Sequence, residues 1–279
     1  MTSQNPFFTI ILPVHRGPIY LPLSVSSVLS QTLGNFELFI VLDGAPQETY
    51  DCAKSLANSD SRITVFQFPK GKRHGEEHRA TALSEARGVM ITQIDDDCLW
   101  MPDNLEIIQQ CCRKIDFGHT LHTVIKSDGR IFSPRSYLEQ SAVRKRMLRK
   151  NFNMIDTCNV FYTREAYESL PEKWAPAPAN IATDLHMWRK FLRENLRFGT
   201  IFASSSLVFP YPKNFSDETS RNRIEQWLHK VQRTEERALV RERVMRIHAT
   251  CLKERKQGKE HKWQRDRVAR FFRDLFCRF

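Results

Sequence analysis

No run of about 18 or more apolar residues occurs in the chain, so no transmembrane helix is expected. The first six residues, Met-Thr-Ser-Gln-Asn-Pro, carry neither the basic cluster nor the apolar core of an export signal; a cytoplasmic location is the expectation. There is no Cys-x-x-Cys pair. The seven cysteines (52, 98, 111, 112, 158, 251 and 277) are odd in number and scattered, which suggests neither a zinc site nor a disulfide framework and fits reduced thiols. No internal repeat is present. A Gly-rich basic phosphate loop after the first strand is also missing, since residues 13–22 hold one Gly and one Arg; this weighs against a sugar-phosphate nucleotidyltransferase. No zinc motif or other nucleic-acid signature occurs, so no nucleic-acid partner is expected.

What remains is a 279-residue chain, 41% hydrophobic, long enough for one large α/β domain with an appendage. Its net charge of +11 is uneven: residues 216–279 hold 18 Lys and Arg against 10 Asp and Glu, leaving the first 215 residues near neutral. Residues 7–14, 36–42, 62–68 and 89–94 read as strands, and residues 20–32, 47–58 and 76–87 as helices between them. That alternation predicts a parallel sheet with crossover helices, whose ligands bind beyond the carboxyl ends of the strands. A helix is expected after Pro102, opened by a capping box of Asp103 and Glu106. The spacing further predicts a hairpin over 119–133, a basic helix over 137–150, a strand over 155–162, a Pro-rich loop over 171–180, a helix over 183–194 and extended chain over 198–209.

Three polar positions fall at strand ends: His15, Asp43 and the triplet Asp95-Asp96-Asp97. Three successive carboxylates at the end of a buried strand repel one another and require a counter-charge, which a divalent metal carrying a phosphorylated ligand supplies. An Asp run by itself also suits a surface loop or a helix cap.

The order of these segments resembles family 2 glycosyltransferases, the inverting sugar-nucleotide enzymes of GT-A fold. Thr9-Ile-Ile-Leu-Pro-Val-His-Arg16 resembles the family's first strand, and Ser24-Val-Ser-Ser-Val-Leu-Ser-Gln-Thr32 its first helix. Residues 36–44 resemble the second strand with its terminal aspartate, and Arg79-Ala-Thr-Ala-Leu-Ser-Glu-Ala-Arg-Gly88 the helix leading to the Asp-x-Asp motif. The likeness spans about residues 7–210 and is densest over 9–106. It implies an α/β GT-A sheet flanked by helices, and transfer of a sugar from a nucleotide sugar, commonly UDP-linked, to an acceptor hydroxyl in cell-surface glycan, lipopolysaccharide or capsule synthesis. Asp95 and Asp97 would hold Mn²⁺ or Mg²⁺, with Asp96 on the donor ribose or the metal shell. Asp43 would meet the nucleobase, Pro13 and His15 would lie beside it, and Arg79 would approach the nucleotide. Ile181-Ala-Thr-Asp-Leu-His-Met-Trp-Arg-Lys-Phe191 resembles the helix carrying the general base, with Asp184 in that role and Thr183 in place of the family's preceding Glu. His186, Asp156 and Asn159 are candidate acceptor contacts. Each residue also has a plainer reading: Asp43 as an Asp-Gly turn, His15 as a strand-end histidine, Arg79 as a solvated charge, Asp184 as a helix cap, and Asp156 and Asn159 as satisfied strand polars.

The expected organisation is a glycosyltransferase domain over 1–212 (donor half about 1–106, acceptor half about 107–212) and a basic helical extension over 213–279. Val268, Phe271, Phe272, Leu275, Phe276 and Phe279 repeat at helical spacing among arginines. Residues 262–279 therefore suit an anionic membrane surface, the chain's own core or a partner subunit. The expected partners are a nucleotide-sugar donor and a glycan or lipid-linked acceptor, with the enzyme peripheral on the inner membrane face. The remaining rival is a non-enzymatic basic protein that binds membrane or anionic polymer.

Overall fold

The computed structural model describes residues 5–210 and 217–256. The first part of the chain alternates β1 (Phe8–Val14), α1 (Leu21–Leu29), β2 (Phe36–Asp43), α2 (Gln47–Ser59), β3 (Ile63–Phe68), α3 (Glu76–Leu83) and β4 (Met90–Gln93). It continues through β5 (Leu99–Trp100) and α4 (Asn104–Cys111). The second part comprises β6 (Phe117–Ile125), β7 (Ile131–Phe132), α5 (Ser141–Arg149), β8 (Val160–Thr163), α6 (Arg164–Ser169), α7 (Thr183–Arg193) and β9 (Phe198–Val208). Two helices follow, α8 (Asp217–Gln232) and α9 (Thr234–Lys256).

The sheet runs β3-β2-β1-β4-β8-β6-β9-β5, with β7 paired to β6. Its first four strands are parallel, as the alternation predicts. Beyond β4 the sheet is mixed: β8 is antiparallel to β4 and β6, β6 is parallel to β9, and β5 is antiparallel to β9. β1 and β2 are apolar almost throughout because both sheet faces are covered. One face packs on α1, α2 and α4 through Val25, Ala53 and Ile108. The other packs on α3 and α7 through Ala82, Trp188 and Phe191.

The order reverses between β1 and β4, because β1 leads to β2 and β3 on one side while β4 returns on the other. A crevice opens beyond the strand ends at such a switch point. Pro13 contributes to it. β4 pairs with β1 only from Phe8 to Ile11, and the last bond across this seam runs from the Ile94 N–H to the Ile11 carbonyl. Pro13 shares the direction of Ile11 along the strand, so its missing N–H falls where β4 has already diverged.

Several local expectations change. Asp103 stands at the N-cap of α4 but makes no capping bond; its carboxylate is taken instead by Arg241 of α9, at 2.6 and 2.8 Å. Glu106 accepts from Thr32 at 3.0 Å, so the capping box does not form. The strand expected from residue 155 begins at Val160, because Asp156 caps a 3₁₀ turn over Thr157–Asn159 by accepting the Cys158 N–H at 3.0 Å. Ile224, Leu228 and Val231 of α8 and Val240 of α9 share a core with Tyr20 and Leu23. No helix among the described residues is long and apolar enough to cross a membrane. The amphipathic stripe from Val268 onward lies outside the described residues.

Candidate active site

Asp43 ends β2 and is 2% exposed. Lys70 donates to its Oδ2, and the Gly71 N–H donates to Oδ1 at 2.6 Å. The His78 ring stacks on Phe68 and holds Nε2 3.5 Å from the same Oδ1. Burial works against the charge of Asp43, but these donors outweigh it and hold the carboxyl below its ordinary range. The chain can wrap so closely because Gly75 sits at φ +66°, where a Cβ would lie 2.7 Å from Asp43 Cγ. The Asp-Gly pair is thus an anchor for the loop over residues 69–75 as well as a turn. His15 lies exposed just past the end of β1, and Pro13 is partly buried within it.

The aspartate triplet follows β4, and its members diverge. Asp96 is buried and bound on both oxygens by Arg16, at 2.8 and 2.7 Å. The same guanidinium reaches Asp97 Oδ2 at 2.7 Å. Asp95 turns the other way and accepts the Thr157 hydroxyl at 2.5 Å. Asp95 is pushed up to about 6, first by the dense protein around it and then by Asp156 and Asp97. Asp96 is also pushed up to about 6, by burial, against the pull of Arg16. Burial, together with Asp97, raises Asp156 as well. Asp95 and Asp156, lying side by side without a cation among the described residues bound to either, form an under-compensated anionic pocket.

That pocket fits a hard divalent cation. Asp95 and Asp156 come together with Cys98 and Cys158, the four side-chain ligand atoms lying within 4.8 Å of one another. Burial raises both thiols well above the ordinary thiol range, so the oxygens are the ready donors and suit Mn²⁺ or Mg²⁺. Asp156, expected as an acceptor contact, joins Asp95 on the metal side. Asp97, the other expected ligand, is held by Arg16.

Arg79 projects from α3 and is 8% exposed. Its Nη2 donates to the His74 carbonyl at 3.0 Å, and the guanidinium lies 4.8 Å from the Trp174 ring centroid. Its Nε has no hydrogen-bond partner. Burial opposes its charge, whereas Asp95, Glu76, Asp184 and Asp43 all favour it. A buried cation balanced by four carboxylates at a distance, with a donor to spare, is placed for an anionic ligand.

Asp184 lies in the first turn of α7 and is 6% exposed. The helix N-cap is Ala182, so capping does not account for Asp184. Asn153 donates to its Oδ2, and the Leu185 N–H donates to Oδ1 at 2.7 Å. Burial pushes its carboxyl up to about 7, and Asp156 and Asp95 add to this. A carboxyl balanced near neutral pH can accept and return a proton. Beside it, Thr183 donates to Glu76 at 3.0 Å. His186, two residues further along α7, is half-buried, with burial lowering its proton affinity. Asn159 is fully buried; it donates to the Thr120 carbonyl, and its Oδ1 has no hydrogen-bond partner.

The structure therefore gathers Asp43, Asp95, Arg79, Asp156 and Asp184 around one crevice. Sequence reasoning did not single out Arg16, Glu76, Asn153, Thr157 or the two buried cysteines as parts of it. Arg16 alone carried a signal, as a cation one residue beyond a strand-end histidine.

Residues 9–170 match the sequence profile described as glycosyl transferase family 2. The chain belongs to that family. Among curated members, it is 36% identical over 101 residues to the UDP-Glc:alpha-D-GlcNAc-diphosphoundecaprenol beta-1,3-glucosyltransferase WfgD of Escherichia coli, covering 36% of this chain and 38% of WfgD. It is 21% identical over 219 residues to the GalNAc(5)-diNAcBac-PP-undecaprenol beta-1,3-glucosyltransferase of Campylobacter jejuni, covering 75% of this chain and 69% of that one. It spans less than two thirds of the length of several other curated relatives. Among solved structures, S. aureus TarS 1-349 in complex with UDP superposes with a TM-score of 0.56 at 18% identity, over 79% of this chain and 64% of TarS 1-349. This likeness places the family 2 chain in the GT-A fold.

Proposed function

We infer that the protein transfers a sugar from a nucleotide sugar to an acceptor hydroxyl with inversion at the anomeric carbon. The observation that carries this reading is the joint placement of Arg79, Asp95 and Asp184: one buried cation acts on the metal-side carboxylate and on a carboxyl balanced near neutrality. The donor's base lies beyond β1 and β2, between His15 and the loop anchored on Asp43, and Asp43 reaches it once Lys70 swings toward phosphate. Lys70 is half exposed and free to move outward. Arg79 lies beneath the diphosphate and acts on it through its charge. Asp95 and Asp156 would hold Mn²⁺ or Mg²⁺, which would neutralise charge on the departing diphosphate. Asp96 stays on Arg16 and positions that arginine beneath the motif. Asp184, oriented by Asn153, takes the proton from the acceptor hydroxyl as that oxygen attacks the face opposite the leaving group. His186, two residues on, borders the acceptor.

UDP is the favoured nucleotide, and a diphosphate-linked polyprenol glycan the favoured acceptor class, because the names of WfgD and the Campylobacter relative specify such acceptors, and that of WfgD a UDP-sugar. The test is a screen of UDP-, GDP- and dTDP-sugars for Mn²⁺-dependent release of the nucleoside diphosphate, alongside the Asp184→Asn variant. Release from one donor, lost in the variant, is the expected result. Neither binding nor turnover with any donor would refute the enzyme reading.

A further inference from the structure

The cluster of Asp95, Cys98, Asp156 and Cys158 includes two sulfur donors that a hard ion does not use. We propose that it is a closed, four-coordinate site for a thiophilic divalent cation such as Zn²⁺, which captures Asp95 and shuts the catalytic centre.

Cys98 and Cys158 are 60 positions apart, so no sequence motif marks the pair. The fold brings them together at the floor of the crevice, where Trp100 Nε1 pins the Cys158 carbonyl at 2.7 Å and Ser24 pins that of Cys98 at 2.7 Å. The four ligand atoms span at most 4.8 Å. A tetrahedral Zn²⁺ site with Zn–S of about 2.3 Å and Zn–O of about 2.1 Å has ligand–ligand edges of about 3.4–3.8 Å. The cluster therefore closes on an ion by contracting by at most about 1–1.4 Å along any edge.

The surroundings already orient the donors. Thr157 fixes the Asp95 carboxylate, the Cys158 N–H fixes Asp156, and the Asp95 N–H points at Cys158 Sγ from 3.4 Å, an arrangement that supports a thiolate. Asp95 is the one partly exposed member and gives the ion access. Mn²⁺ and Mg²⁺ prefer oxygen and leave the thiols protonated; Zn²⁺, Cd²⁺ and Co²⁺ accept sulfur and recruit all four ligands. A site with four protein ligands keeps no position for a diphosphate oxygen. The inhibitory consequence rests on the transfer reading given above, whereas the binding itself does not.

The experiment uses the full chain, reduced and anaerobic, titrated with Co²⁺ as the probe. A thiolate-to-cobalt charge-transfer band should rise to one equivalent, disappear on adding one equivalent of Zn²⁺, and persist in excess Mg²⁺. Cys98→Ser and Cys158→Ser, each checked for native circular dichroism, should abolish it. In the unaltered protein, Zn²⁺ should protect Cys98 and Cys158 from alkylation, read peptide by peptide, so the result does not hang on the variants folding. No band, a band surviving both substitutions, or protection confined to other cysteines overturns the site. If the band behaves as expected but Zn²⁺ leaves transfer in Mn²⁺ undiminished, the site stands and its closure of the catalytic centre is refuted.

Discussion

Replacing Asp184 by Asn should stabilise the protein above neutral pH while removing transfer. The carboxyl of Asp184 sits at about 7 in the fold, against an ordinary 3.8. Its folded-state value is raised, so its contribution to stability is fully present below 3.8 and lost as the pH climbs through about 7. The gap corresponds to ~4 kcal/mol at 1.36 kcal/mol per pH unit. Asn never ionises and avoids that loss. It introduces its own cost, because Asn153 and the Leu185 N–H both donate to this side chain and one of them then faces an NH₂ group; an unmet donor of this kind costs about 1–2 kcal/mol. The burial contribution is the larger, so a net gain of about 2–3 kcal/mol is expected at pH 8, roughly 4–10 °C in Tm for a chain of this size. At pH 4, where the wild-type carboxyl is largely protonated, the variant should be equal or slightly less stable. Melts in EDTA at pH 4 and pH 8 read the difference directly. Turnover should fall by about 10²–10⁴, the usual contribution of a positioned base, and the wild-type rate should rise with pH through about 7. A variant no more stable than wild type at pH 8, or a difference equal at both pH values, refutes the reasoning that a buried near-neutral carboxyl sits at this position.

Gly75→Ala should lower stability by about 1–2 kcal/mol, because the residue sits at positive φ, and should weaken UDP binding, because its Cβ would lie 2.7 Å from Asp43 Cγ; calorimetry giving an unchanged UDP affinity would remove Asp43 from the base site. Arg16→Gln leaves Asp96 buried without its cation. Since Arg16 is itself a quarter exposed, the loss should be about 2 kcal/mol at pH 8 and smaller at pH 5, where Asp96 takes up a proton; melts giving the same loss at both pH values would contradict that assignment. Arg241→Ala breaks the pair with Asp103 and the bond to the Ser204 carbonyl, and should cost about 1–2 kcal/mol while exposing α9 to limited proteolysis.

Much of the first part of the chain is legible because its strands are buried on both faces and read as unbroken apolar runs, 8–14 and 36–43 above all. Asp43, Asp95 and Asp184 could be singled out because each falls where a strand ends or a helix begins. The second part is harder to read because its sheet is mixed, and antiparallel strands such as β8 need no crossover helix to announce them. The capping box failed for a related reason. Local pattern favours Asp103 bonding its own helix, whereas Arg241, 138 positions away, offers a two-pronged charged partner that outcompetes a backbone N–H. Spacing in sequence likewise says nothing about Arg16 locking Asp96 and Asp97, or about Cys158 lying against Asp95, since both contacts join separate strand ends. The division of the triplet, with Asp96 and Asp97 to an arginine and Asp95 to the metal pocket, follows from these distant partners and not from the three identical side chains.

The threonine at 183, where the resemblance implies a Glu, has a partner in the structure. Glu76, at the start of α3, is fully buried, and its Oε1 accepts the Thr183 hydroxyl at 3.0 Å and the Ala177 N–H at 3.3 Å, while Oε2 accepts the His74 N–H at 2.9 Å. These donors hold the carboxyl below its ordinary range in spite of burial. A glutamate at 183 would point a second carboxylate at the first, in a region where Asp95 and Asp156 already raise the proton affinity of Asp184. Glu76 instead supplies a carboxylate from α3, the helix that carries Arg79. There it neutralises that arginine's burial and ties the Pro-rich loop and the start of α7 to the first part of the chain. One buried carboxylate thereby sets the position of α7, with Asp184 in its first turn, relative to Arg79, through contacts that join segments far apart in the sequence.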